Sequence, residues 1–146
     1  MKVAVASDHA GFCQKDHIIA YLCSLGAEVE DFGPGDEERV DYPDYADKVA
    51  RAVASGKADR GVLLCGTGLG MALTADKVPG IRAVAVQTPE FARLAREHND
   101  ANVVCLSGRF VDPEVNEEVV KEFMTTDFAG GRHAVRVQKI MEEDKR

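Results

Sequence analysis

The chain has no apolar run near the roughly 18 residues that a membrane-crossing helix needs. It has no C-x-x-C pair among its four cysteines and no surplus of positive charge. Each absence removes a class of protein. Cys13, Cys23, Cys65 and Cys105 lie far apart, so neither a zinc framework nor a redox dithiol is indicated, and reduced thiols are the default. A formal charge of −7 disfavours a nucleic-acid partner, whose backbone must be met by concentrated positive charge. The opening Met1-Lys2-Val3-Ala4-Val5-Ala6 breaks at Ser7-Asp8-His9. That is too short for a signal-peptide core and reads as a buried strand, so a cytoplasmic protein without a membrane partner is expected. No repeat, low-complexity segment or linker divides the sequence, and the expectation is one domain over residues 1–146. An apolar content of 45% is enough for a packed core.

What is present is alternation. β-rich runs at 3–7, 27–32, 61–65, 82–86 and 102–106 are separated by helical patterns. Near-continuous apolar character in the runs suits strands covered on both faces. The first helix carries Phe12, Ile18, Ile19, Leu22 and Leu25 on a stripe and ends at Gly26. A second is expected over 45–54, a third out of the Gly-rich segment after Cys65, and a fourth after Thr88-Pro89-Glu90, with Thr as N-cap and Pro in the first turn. Two more follow, over 113–124 and from His133 towards the end. The pattern predicts an α/β fold, a three-layer α/β/α sandwich around a five-stranded, Rossmann-like parallel sheet. Such sheets bind ligands beyond the C-terminal ends of their strands. Asp8-His9-Ala10-Gly11, the loop Asp41-Tyr42-Pro43-Asp44, Cys65 to Gly70, Gln87-Thr88 and Ser107-Gly108-Arg109 fall there.

The strongest local signal is Cys65-Gly66-Thr67-Gly68-Leu69-Gly70. Glycines let backbone N–H groups converge on an anion where a helix begins, and a cysteine there is a candidate thiolate base. A tight turn after a buried cysteine is the plainer explanation. The spacing is not the dinucleotide fingerprint G-x-G-x-x-G, nor does it end in G-K-[ST]. A cysteine phosphatase loop would need arginine where Met71 stands. Elsewhere the plain structural reading of each motif alone is the stronger or the equal one. Asp8-His9 could be a capped turn, His98-Asn99 a helix C-cap and Tyr42 an exposed packing residue. Arg132 and Arg136, four apart after Gly130-Gly131, fit either a solvated face or a bidentate grip on phosphate. Arg109 is ambiguous in the same way.

Taken together, the segments resemble one family. Ser7-Asp8-His9-Ala10-Gly11, Asp41-Tyr42-Pro43-Asp44, the Cys65–Gly70 loop, Arg96-Glu97-His98-Asn99-Asp100-Ala101-Asn102 and Gly131-Arg132-His133 look, in that order, like the type B ribose-5-phosphate isomerases and related sugar-phosphate isomerases. The resemblance implies that Cys65 removes a proton beside the carbonyl. It implies that the backbone N–H groups of Gly66, Gly68 and Gly70, with Thr67, stabilise the enediolate, and that His98 assists ring opening. Asp8, Tyr42 and Asn99 match positions that contact sugar hydroxyls, while His9, Arg109, Arg132 and Arg136 match phosphate contacts.

It also implies a homodimer or a tetramer built from dimers, in which the His98 and Arg109 segments cross to the partner's site. No cofactor and no metal are implied. One branch of the family uses glutamate where Met71 stands and lacks the cysteine, so this chain resembles the cysteine branch. Asp76 replaces an expected Asn, and Ser107 a usual Gly. The reaction expected is interconversion of ribose 5-phosphate and ribulose 5-phosphate. The alternatives are a six-carbon sugar phosphate such as allose or galactose 6-phosphate, or a noncatalytic sugar-phosphate-binding module.

Overall fold

The structure, a computed structural model, describes residues 1–145. Five parallel strands, β1 (Lys2–Ser7), β2 (Glu28–Asp31), β3 (Arg60–Cys65), β4 (Ala83–Ala85) and β5 (Val103–Ser107), form one sheet in the order β2-β1-β3-β5-β4. The helices are α1 (Phe12–Ser24), α2 (Tyr42–Ala54), α3 (Leu69–Ala75), α4 (Pro89–Asn99), α5 (Pro113–Thr125) and α6 (Arg132–Glu142), with a final 3-10 turn at Glu143–Lys145. The α/β sandwich is as expected, because alternate residues of β1, β3 and β5 feed two cores. Ala4, Ala6, Leu63 and Cys65 pack under α2 and α3. Val5, Val62, Leu64 and Leu106 pack under α1, α4 and α5.

Three expectations need correction. β2 is an exposed edge strand rather than one covered on both faces. Tyr42 is not in a loop: α2 starts there, with Asp41 as N-cap residue and Pro43 in the first turn. Helix α1 does not bury Leu25. Its inner face is Gln14, Lys15, Ile18 and Leu22, spaced as one helical face that happens to begin with polar residues. The Thr88 cap is as expected, its hydroxyl accepting from Phe91 N–H at 3.3 Å.

Asp76, the replacement for the expected Asn, holds β4 in place: its Oδ1 accepts the Ala83 N–H at 2.7 Å. Burial raises its pKa, partly offset by that hydrogen bond. A carboxyl that binds its proton more tightly when folded loses stability as pH rises past its unfolded value. Asp76→Asn keeps the acceptor and removes the charge. Its melting temperature is expected to equal or exceed that of the wild type by a few degrees at pH 7.5, with the gap closing as pH falls into the acid range. A thermal-melt series against pH checks this.

Candidate active site

The ends of β1, β3 and β5 lie side by side. Ser7 pairs with Leu64, and Cys65 with Ser107, so the turn after each strand meets the others. Asp8 Oδ1 accepts the N–H groups of Ala10 and Gly11, both at 2.9 Å, which makes it first of all a turn-forming residue. His9 Nδ1 accepts the Val40 N–H at 3.2 Å. That bond requires the neutral tautomer with its proton on Nε2, a donor for an anion. It also ties the loop before α2 to the β1 turn. His9, Arg39 and Tyr42 line a cleft of about 620 Å³ there.

Cys65 is buried and is one of the free cysteines, with Cys13, Cys23 and Cys105. Its Sγ accepts the Gly68 N–H at 3.1 Å. Gly68 can aim that N–H back at the sulfur because it sits at φ 84°, left-handed backbone that suits glycine. Thr67 Oγ1 accepts the Leu69 N–H at 3.2 Å, leaving its own proton to donate outward. Burial pushes the neighbouring Cys105 thiol well above its ordinary pKa, with Cys65 adding to the effect. Cys105 therefore stays a thiol, and Cys65 is the cysteine at the loop.

Tyr42 lies directly against Gly70. A Cβ placed there would come within 2.4 Å of the ring. Gly70→Ala is expected to swing the half-exposed Tyr42 outward, at a stability cost below about 1 kcal/mol because the ring can move. For the sugar contact that the family resemblance implies for Tyr42, KM is expected to rise several-fold with a smaller change in kcat, which steady-state kinetics checks.

Arg109 is brought to the same place by its own chain. Its N–H donates to Gly66 O at 3.2 Å, and its side chain reaches over Gly66, 3.4 Å from where a Cβ would stand. The expectation that the Arg109 segment crosses to a partner's site does not fit this geometry. In-register pairing of β5 with β3 delivers Arg109 beside Cys65 within the chain. Ser107, the replacement for a usual Gly, reinforces this: its hydroxyl donates to Gly66 O at 2.7 Å and accepts from Phe110 N–H at 3.0 Å.

Sequence reasoning missed the support beneath this turn. Gln14 Nε2 donates to Gly108 O and Val111 O, and Asn116 Nδ2 donates to Gln14 Oε1 and Ser107 O. Lys15, buried, pairs with Asp31 at 2.9 Å and also donates to Pro34 O. The signal that could have found Gln14 and Lys15 is their helical register with Ile18 and Leu22.

His98, Asn99, Arg132 and Arg136 do not join this group. Helix α4 starts after the end of β4 and runs back along the sheet, so His98 and Asn99 lie where β5 begins. There Asn102 N–H bonds Arg82 O, and Gly61 N–H bonds Asn102 O. Helix α6 attaches at the same place, with His98 and His133 stacked at 4.2 Å. Five strand steps, about 16 Å at roughly 3.3 Å each, separate Arg60 at that end from Cys65. Asn99 lines a 390 Å³ cleft beside β4 with Asp76, Arg82 and Ile140. His17, outside both groups, pairs with Glu117 at 2.8 Å.

Fold and site together define a parallel α/β protein with its polar residues gathered at the strand ends, where small phosphorylated ligands bind such sheets. The family follows from comparison. Residues 3–140 match the model of the family described as Ribose/Galactose Isomerase. Over 145 residues, spanning 99% of this chain and 97% of the relative, the chain is 44% identical to ribose-5-phosphate isomerase B of Escherichia coli. Its fold superposes on ribose-5-phosphate isomerase B of Clostridium thermocellum with a TM-score of 0.97 at 48% identity, covering 99% and 98% of the two chains. The Mycoplasma genitalium enzyme of that name, solved with bound ribulose-5-phosphate, gives 0.95 at 41% identity, covering 99% and 97%. The chain belongs to the ribose/galactose isomerase family.

Proposed function

We propose that this protein interconverts ribose 5-phosphate and ribulose 5-phosphate through an enediolate, with Cys65 as the base. The observation that carries the reading is the buried Cys65 Sγ facing the Gly68 N–H inside a glycine loop. A thiolate there takes the proton from C2 of the open aldose. The electron pair moves to form the C1–C2 double bond, and negative charge collects on O1. The loop N–H groups and the Thr67 hydroxyl stabilise that charge, and donors already in place need no reorganisation as it grows. The O2 hydroxyl proton passes to O1 as the C2 carbonyl forms, and return of the thiol's proton to C1 gives the ketose. No electrons leave the substrate, so the step calls for no redox partner. His9 and Arg109 bind the phosphate, whose binding energy holds the reacting carbons at the base.

The remaining groups come from a second copy in this reading. His98 would open the furanose ring, Asn99 would contact a sugar hydroxyl, and Arg132 with Arg136 would close on the phosphate. Two features support a homodimer. The two sets lie at opposite ends of one sheet, and a two-fold pairing places one end against the other. Leu69, Leu73 and Phe91 are large, apolar and exposed beside the edge strand β4, a surface that association would cover. Among the described residues, no helix is long and apolar enough to cross a membrane.

The test uses metal-stripped protein and a panel of pentose and hexose phosphates, with ketose formation followed. Ribose 5-phosphate should be turned over at full rate after exhaustive chelation. Preference for a hexose phosphate would replace the pentose assignment. Activity that returns only on adding a divalent ion would refute the thiolate mechanism as written.

A further inference from the structure

The readings above give His133 no catalytic part, yet its ring makes a close aromatic contact. Its ring stacks on that of His98, centroids 4.2 Å apart and planes 16° from parallel. Helix α6 buries none of its side chains, so tight packing of this helix does not force the contact. A backbone bond from Ala129 N–H to Glu97 O at 3.0 Å brings the chain leading into α6 onto the last turn of α4. The stack then fixes the plane of the His98 imidazole, which is only half-buried and would otherwise turn about its own side-chain bonds.

We propose, resting on the isomerase reading, that His133 is a positioning residue: it holds the His98 ring in the orientation that ring opening needs. The surrounding charges fit the division of labour. From α6, Arg132 and Arg136 face the pair. From α4 comes Glu97, itself paired with Arg93 at 3.0 Å. Desolvation, His98 and the two arginines together hold the His133 pKa below the ordinary imidazole value, with Glu97 opposing. In neutral solution His133 therefore presents an uncharged flat ring to its neighbour.

The chemistry supplies a readout that a merely structural role would not move. Opening the furanose form of ribose 5-phosphate breaks the C1–O4 bond, takes the proton from the C1 hydroxyl and places one on O4. Ribulose 5-phosphate carries its phosphate on the oxygen that would close a five-membered ring, so it arrives open. Exchange of its C1 hydrogen with solvent deuterium needs the Cys65 base but no ring opening. Both reactions are measured for wild type, His133→Ala and His133→Phe. Should the Ala protein fail to fold, His133→Leu, which fills the space without a ring, takes its place.

The Ala variant should lose about tenfold or more in kcat from ribose 5-phosphate, with KM little changed, while C1 exchange stays within about twofold. The Phe variant should recover most of the lost aldose turnover. A parallel fall in exchange, no loss in either reaction, or a Phe variant as poor as Ala would each overturn the proposal. Wild-type protein without C1 exchange would instead sink the isomerase reading, a separate and recognisable failure.

Discussion

Cys65→Ala protein should fold and still bind inorganic phosphate, while its turnover of ribose 5-phosphate falls by about 10²–10⁴-fold or more, the range for losing a positioned proton-transfer group. Folding should survive because only one buried sulfur is removed, at the last residue of β3. The one hydrogen bond lost, from Gly68 N–H to Sγ, leaves a donor unpaired at a cost of about 1–3 kcal/mol. Phosphate binding should survive because His9 and Arg109 reach the site from other strand ends, held by Val40 and by Gly66. Cys105 cannot substitute: it is fully buried and its thiol is held protonated. The decisive measurement pairs kcat with deuterium exchange at C1 of the ketose. Both should vanish together, and near-wild-type activity would remove Cys65 from the role of base.

Mixing Cys65→Ala protein with His98→Ala protein, each inactive alone, should restore activity once subunits exchange. In a two-fold dimer with shared sites, each heterodimer carries one site with both groups intact and one with neither. Random reassortment of equal amounts then gives about one quarter of wild-type activity. Arg109 supplies the internal control. Arg109 lies over the Gly66 of its own chain, and Arg109→Ala mixed with Cys65→Ala could recover only if both defects fell in one site of the heterodimer and left the other intact. Both residues belong to the same chain's site, so the heterodimer has two singly damaged sites and stays inactive. Recovery with His98→Ala but not with Arg109→Ala is the pattern expected of the proposed shared-site dimer. No recovery in either mixture, with exchange demonstrated by mass, would mean that the site is not shared.

The contrast between those two mixtures marks where the sequence stops being informative. Arg109 and His98 look alike in the sequence: each is a polar residue beside a short motif, and each was expected to cross to a partner. What separates them is the path of the chain. Arg109 follows a strand and therefore emerges at the ligand-binding end. His98 follows a helix that has travelled back, and therefore emerges at the other. The same reasoning explains Tyr42. Its polar, Pro-containing surroundings read as a loop, yet proline is as comfortable in the first turn of a helix, and α2 begins at Tyr42 with Pro43 in that turn.

By itself the sequence determined the parallel α/β fold, the positions of the elements to within a few residues, the Cys65 loop and the ordered set of motifs that marks the family. These are local properties: side-chain periodicity, caps and glycine-rich turns act between residues close in the chain. Tertiary structure alone decided the strand order β2-β1-β3-β5-β4, the buried Gln14–Asn116 support under Arg109, and the division of ten polar site candidates between two ends of the sheet. Those depend on which distant segments pair and in what register, and a parallel strand can take either neighbour until the whole core has packed.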